Sequence, residues 1–388
     1  MFSIKTFIVL FFILATLVAA GPIPANHRRI RRGTACKGSA ASSSTEKASP
    51  TAVNNAEETT KKSSSSKKAS ATSSTKKSSS SSKTASGSKS SSTSSSSSNS
   101  TGTASSLVGT ALLAALQPVK QLTSGSQGWT TLSGISGALP LSDATFRPTS
   151  ILSALKHQYV AAPDGTPAMK ATYPKGSYTF GNEPQGGFSF YSPGPSGVDL
   201  TTAKEATLGY SVYFAENFQF NLGGKLPGLY GGDDAKTALS CSGGRRSTTC
   251  FSARFMWRAE GRGEFYTYLP QVAANKVLCN VKPMSDCNDV YGASVGRGAF
   301  SFKVGQWNHI SERIRLNDAG QANGEIELFF NGVSVINVSG LILRDSDKGR
   351  IWGIQMQTFF GGSETKFKTP VDTEAYFSQF SVAITEKL

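Results

Sequence analysis

Histidine is scarce in this chain of 388 residues: three occur, and only His157 and His309 lie beyond residue 126. Those two are far apart, no His-x-x-x-His spacing is present, and no Cys-x-x-Cys pair occurs. A zinc or other histidine-built metal site is therefore not expected, and no cofactor is called for. The same scarcity argues against a Ser-His-Asp hydrolase, and a Gly-x-x-x-x-Gly-Lys-Ser/Thr phosphate loop is absent. Aromatic residues are also missing over a long stretch. Of 38, four fall in the first twelve positions, none between Ile13 and Gly128, and 34 from Trp129 onward. A segment with so little apolar surface cannot offset the entropy of ordering its backbone, so the folded core has to come from about 260 C-terminal residues. Acidic residues are short in one place only. Positions 1 to 126 hold 16 Lys and Arg against 3 acids, against 24 and 22 in the remainder. The high pI thus belongs to the N-terminal part, and nucleic acid is not implied as a partner of the folded part.

What is present begins with a leader. Met1 to Ala20 carries one lysine, Lys5, then an apolar run from Phe7 to Leu17 and the small residues Val18-Ala19-Ala20, the pattern of a secretory signal peptide over residues 1–20. The run falls short of the roughly 20 residues that cross a bilayer, so no membrane association is expected of the mature form. Arg28-Arg29 and Arg31-Arg32 then mark residues 21–32 as a propeptide ending at dibasic sites. Residues 33–126 read as a disordered Ser/Lys-rich linker, with 30 serines in the 68 residues from Ser39 to Ser106. Within it, Leu107 to Leu116 is a short apolar patch of helical character that cannot stand alone. The protein is expected to be secreted, extracellular or associated with a cell wall, and monomeric.

Five cysteines in an exported chain are read as disulfides first. Cys241 with Cys250 and Cys279 with Cys287 make two short-range pairs, and Cys36 is left over; other connectivities remain open. Asn337-Val338-Ser339 and Asn99-Ser100-Thr101 are glycosylation sequons.

Residues 127–388 read as one all-β domain, because short β-branched and aromatic runs alternate with Gly, Pro, Asn and Asp and no long helical period appears. Alternation is evident over Tyr210 to Phe220, Phe251 to Trp257 and Phe265 to Leu269. Asn331-Gly332 between two apolar runs predicts a hairpin, and a last strand is expected over Ala375 to Ile384. The length suits a large sandwich or jelly roll.

Period two separates Ser252 and Arg254 from Phe251, Ala253 and Phe255, and Tyr266 and Tyr268 from Phe265, Thr267 and Leu269. If the two strands pair across the turn at Glu260-Gly261-Arg262-Gly263, then Ser252, Arg254, Tyr266 and Tyr268 share one surface. Such a surface suits a sugar acid: phenol rings pack on a pyranose, and a guanidinium binds a carboxylate through two parallel hydrogen bonds. Upstream, Gly223 to Gly232 frames Lys225 with five glycines and Pro227, which reads as a tight turn at a strand end presenting an exposed lysine.

Tyr210-Ser-Val-Tyr-Phe, Gly-Gly-Lys-Leu-Pro-Gly-Leu-Tyr-Gly-Gly at 223–232, Ser252-x-Arg254 and Tyr266-x-Tyr268 together resemble polysaccharide lyase family 14, the alginate and glucuronan lyase group. The likeness extends over roughly residues 165–385, through Tyr173-Pro-Lys-Gly-Ser177, Trp307-Asn308, Asn331-Gly332 and Phe359-Phe360-Gly361-Gly362. It implies a β-jelly roll with a concave substrate-binding sheet, and metal-independent β-elimination on a β-1,4-linked polyuronate, glucuronan-like or alginate-like. It also implies functional roles for Lys225, Ser252, Arg254, Tyr266 and Tyr268. The stretch from Cys241 to Cys250, with Arg245 and Arg246, departs from the family pattern.

The chemistry is coherent from the residues alone. The C5 proton of a uronate is barely acidic because its carboxylate is already negative, so that charge has to be neutralised. Arg254 and Lys225 are candidates, with Ser252 as a hydrogen-bond donor. A tyrosine, ordinarily with a pKa of about 10, serves as base only beside a stabilising cation, and a phenol returns a proton to the leaving O4. Tyr268 is favoured as base over Tyr266, with His157 as another candidate. The competing readings are a carbohydrate-binding jelly roll without catalysis and a structural wall protein.

Overall fold

The computed structural model describes residues 109–118 and 127–388. The expected signal peptide, the dibasic pairs, the serine-rich segment, Cys36 and Asn99 lie outside the described residues. Fifteen strands follow one another along the described chain: β1 (Gly128–Thr130), β2 (Gln158–Ala161), β3 (Pro167–Tyr173), β4 (Phe188–Ser192), β5 (Ala203–Phe214), β6 (Gly223–Gly232), β7 (Cys250–Arg258), β8 (Arg262–Tyr268), β9 (Asp286–Cys287), β10 (Ala293–Ser301), β11 (Trp307–Arg315), β12 (Gly324–Phe330), β13 (Val333–Leu341), β14 (Arg350–Phe360) and β15 (Thr373–Lys387). They form two antiparallel sheets packed as a sandwich, the all-β jelly-roll class expected. One sheet runs β13-β12-β11-β5-β15-β3-β2, with β1 added on β15. The other runs β4-β14-β6-β7-β8-β10-β9.

The core lies between the sheets and is built by alternation. Phe251, Ala253, Phe255 and Trp257 of β7 meet Leu208, Tyr210, Val212 and Phe214 of β5 and Phe377 of β15 in one buried cluster. The run expected to alternate from Tyr210 to Phe220 stops as a strand at Phe214; Phe218 and Phe220 reach the same core from the following loop. Asn331 and Gly332 both adopt positive φ, 51° and 80°, and join β12 to β13 as the expected hairpin. Cys241–Cys250 and Cys279–Cys287 are both bonded. The apolar patch near residue 116 is a helix over 109–116, and it is packed. Thr207 of β5 donates to Gln117 at 2.5 Å, and a Cβ on Gly209 would lie 2.1 Å from the Leu116 carbonyl oxygen. Among the described residues no helix is long and apolar enough to cross a membrane.

The glycine-rich stretch at 223–232 is not a turn. It is strand β6, in the middle of its sheet, hydrogen-bonded to β14 on one side and β7 on the other. Its glycines answer to close packing and not to turning. A Cβ on Gly224 would lie 2.0 Å from the Trp257 ring, and one on Gly228 would lie 2.1 Å from the Ala253 carbonyl oxygen. Pro227 is tolerated because the ladder shifts register between Lys225 and Gly228, a bulge where no amide is needed. Gly224→Ala is therefore expected to destabilise the fold by about 1 to 3 kcal/mol through overpacking. A denaturant midpoint equal to that of the unaltered protein would contradict this account of β6.

Candidate active site

The register of β7 on β8 sets the site. Ser252 pairs with Tyr268, Arg254 with Tyr266, and Met256 with Glu264, so these side chains share the face of the sheet turned away from the core. On β6 the same face carries Lys225, Gly228 and Tyr230, with Gly228 paired to Arg254 on one side and Gln355 of β14 on the other. With no side chain at Gly228, the path across β6 is open, and Arg254 Nη1 donates to Gln357 Oε1 of β14 at 3.1 Å. Gln355 Nε2 donates to that same oxygen at 2.7 Å, and Gln357 Nε2 donates to Ser189 Oγ of β4 at 3.0 Å. Lys225 Nζ sits 3.4 Å from the centroid of the Tyr266 ring and 2.8 Å from Met256 Sδ. The expected shared surface of Ser252, Arg254, Tyr266 and Tyr268 is thus one cluster, and Lys225 of β6 joins it. Its depth was not expected: Lys225, read as exposed, is 8% exposed, and Arg254 is 2% exposed.

The charges are unequally matched. Glu264, fully buried, accepts from Arg258 at 2.7 Å and from Arg297 at 2.8 Å, and Ser294 donates to it. Burial alone would raise its pKa, but Arg258 and Arg297 hold the carboxyl below the usual range. That one carboxylate is committed to two other cations. Among the described residues, neither Lys225 nor Arg254 forms an ion pair, and Arg254 Nε is buried with no partner. Burial, then repulsion from Arg258 and Arg254, pushes the Lys225 amine well below its ordinary pKa. Burial lowers that of Arg254 as well. A guanidinium withdrawn from water without a counter-charge is costly, and the amine beside it holds its proton weakly; an arriving carboxylate relieves the first and favours protonation of the second.

The two tyrosines differ. Burial, then the neighbouring Tyr268, pushes the Tyr266 phenol above its ordinary pKa, which keeps it protonated. Tyr268 Oη accepts a hydrogen bond from Gly244 N at 3.0 Å, and the Arg246 guanidinium lies 5.7 Å from its ring. Ser252 is occupied: its hydroxyl donates to the Cys241 carbonyl at 2.7 Å, and the residue is 1% exposed. His157 is elsewhere. It hydrogen-bonds Asp143 at 2.7 Å and packs on Phe190, whose side chain lies on the opposite face of β4 from Ser189 and Tyr191. It is not placed to be the base. Gly292-Ala-Ser294-Val-Gly296 has the spacing of a serine nucleophile elbow, but Ser294 lies within β10 and serves Glu264.

Beneath the site, the β6 bulge is held from the core. Tyr210 of β5 donates to the Pro227 carbonyl at 2.9 Å, and Glu312 of β11 accepts from Leu229 N at 2.7 Å. Glu312 is wholly buried, its second oxygen has no partner, and burial pushes its pKa well above the ordinary value. Burial thus favours its neutral form.

The family profile of polysaccharide lyase 14 matches residues 161–380. The chain belongs to polysaccharide lyase family 14. The marine PL-14 alginate lyase from Aplysia kurodai is 34% identical, with 59% of this chain and 87% of that one covered and a TM-score of 0.53. An alginate lyase from Chlorella virus is 26% identical, covering 62% and 93%, with a TM-score of 0.49. Exolysin from Paramecium bursaria Chlorella virus 1 is 28% identical over 173 residues, 40% of this chain and 25% of exolysin, so the match spans about a quarter of that relative.

This family 14 chain adds residues that the motifs did not single out: Gln355, Gln357, Ser189, Met256 and Glu264. The period of two would have found them. Ile354-Gln355-Met356-Gln357 and Phe188-Ser189-Phe190-Tyr191 alternate as clearly as the strands bearing Arg254 and Tyr268, with core partners Ile354, Met356, Phe188 and Phe190.

Glu312 supplies a test of the buried arrangement. With its folded pKa raised, the stability it contributes is complete below its unfolded pKa of about 4.3 and is lost as pH rises toward the folded value, at about 1.4 kcal/mol per pH unit. Glu312→Gln keeps the acceptor for Leu229 N and does not titrate. The variant should match the original protein near pH 4 and become progressively more stable than it between pH 5 and 8. Parallel thermal midpoints across that range would refute a neutral buried acid.

Proposed function

We propose that this protein cleaves a β-1,4-linked polyuronate, glucuronan-like or alginate-like, by β-elimination without a metal. The observation that carries this reading is the buried pair Lys225 and Arg254, neither in an ion pair, beside two phenols. The family membership and the alginate lyase relatives support it. A uronate carboxylate between Arg254 and Lys225 has its charge neutralised, which acidifies the neighbouring C5 proton. Tyr268 takes that proton: Gly244 N–H donates to its oxygen, and Arg254, two residues along β7 from its strand partner Ser252, stabilises negative charge there. The C5–H electrons form the C4=C5 double bond, the C4–O4 bond breaks, and Tyr266, held protonated, delivers its proton to O4. Ser252 contributes by anchoring the Cys241 carbonyl and hence the loop that carries Gly244.

We extend the proposal to the setting of the enzyme. A leader, a serine-rich linker and two short-range disulfides fit a secreted, monomeric protein, and Asn337 is exposed on β13, where a glycan has room.

Incubation with polyglucuronate and polymannuronate should release products with an unsaturated end that absorbs in the ultraviolet. Tyr268→Phe and Arg254→Ala should each lower kcat about a hundredfold or more, equivalent to some 3 to 4 kcal/mol, with the circular dichroism unchanged. Lys225→Ala should lower kcat/KM by at least about tenfold. No absorbance across a polyuronate panel would overturn the catalytic reading in favour of a carbohydrate binder. Because the Lys225 amine binds a carboxylate best when protonated and its pKa is depressed, KM should rise as pH increases through that depressed value. The rise should disappear in Lys225→Ala.

A further inference from the structure

The loop between Cys241 and Cys250 follows β6 and its short helix and leads into β7, yet it reaches the open face of the sheet. Gly244 N donates to Tyr268 Oη of β8 at 3.0 Å. Tyr268 pairs with Ser252 of β7, two residues from Arg254, so the loop lies against the face that holds Lys225 and Arg254. It is fastened at its base by the disulfide and by Ser252 on the Cys241 carbonyl.

Two arginines stand on this loop. Arg245 is exposed, and its Nε donates to the Ser240 carbonyl at 3.3 Å. Arg246 lies over Tyr268, its Nη2 donates to the Asn288 carbonyl at 2.5 Å, and its Nε is buried with no partner. Among the described residues neither guanidinium pairs with a carboxylate. Arg246 thus stands over Tyr268, whose strand partner Ser252 is two residues from Arg254, and Arg245 follows next to it on the exposed side of the loop, so three guanidiniums without a carboxylate belong to one region of the sheet face.

We propose that the Cys241–Cys250 loop is a second anion-binding element, in which Arg245 and Arg246 hold carboxylates of the sugars flanking the one at Arg254. The ligand class is a polymer with an acid on successive sugars, and the inference rests on the polyuronate reading above. A set of cations matches repeated carboxylates and gains nothing from a chain whose flanking sugars are neutral.

The test compares the full-length protein with Arg245→Ala/Arg246→Ala and with Arg245→Lys/Arg246→Lys. Cleavage of polyglucuronate and polymannuronate is followed in the ultraviolet, and binding is followed by retardation in gels containing the same polymers. The alanine pair should raise KM about tenfold while kcat falls much less, and the difference should shrink in 0.5 M NaCl as screening shortens. The lysine pair should retain most of the salt-sensitive affinity. Because Arg245 is exposed, Arg245→Ala alone provides a variant whose folding is not at risk, with a smaller shift in the same direction. An alanine pair that binds and cleaves like the original protein overturns the proposal, as does a fall in kcat with KM unchanged. If no form cleaves the polymers but the alanine pair loses gel retardation, the loop assignment stands and the reaction fails instead.

Discussion

A guanidinium and an amine held out of water with no acid beside them govern the arrangement of this domain's open face. A buried charge ordinarily finds a partner or gives up its proton. Here the buried carboxylate of the same sheet face, Glu264, is spoken for by Arg258, Arg297 and Ser294, so Arg254 has only the amide oxygen of Gln357 and Lys225, its proton weakly held, only an aromatic face and a thioether. Neutral partners orient the two groups without supplying a counter-charge. The site stays electrostatically incomplete until an anion enters, and the energy for holding it so comes from the aromatic core on the other side of the same strands.

That division of labour follows from a period of two residues. In β7, Phe251, Ala253, Phe255 and Trp257 secure the sandwich while Ser252, Arg254 and Met256 build the site, and β8 does likewise with Phe265 against Tyr266 and Tyr268. Cross-strand register then converts spacing in sequence into neighbours in space. Position in depth is adjusted from beneath, where Tyr210 and Glu312 supply the hydrogen bonds that the β6 bulge cannot find in its own sheet.

Much of this was readable in the sequence. The alternating runs, the Asn331-Gly332 hairpin, the paired faces of the Ser-x-Arg and Tyr-x-Tyr strands and both disulfides are strong local signals, and the structure has each of them. The stretch at 223–232 misled because glycine has two uses. Its freedom at positive φ suggests a turn, whereas its lack of a Cβ is what β6 exploits beneath Trp257 and beside Ala253, and only tertiary contacts distinguish the two. Ser252 looked like a free donor because its partner, a main-chain carbonyl eleven residues away, leaves no mark in composition. Gln355 and Gln357 were passed over because uncharged residues draw little notice. Glu312 lies in step with Ile310 and Ile314 and so on the inward side of β11, and its partner, the Leu229 amide of the facing sheet, leaves no mark in the sequence.

The bare peptide at Gly228 carries a consequence for how this groove can diversify. A residue there cannot grow without pushing against the backbone of β7, so the floor between Arg254 and Gln355 is frozen in shape. Side chains in the disulfide-tied hoop meet no such wall, except that Gly244 has to keep its amide on Tyr268, so the molecule has a rigid floor and a border whose side chains have room to differ.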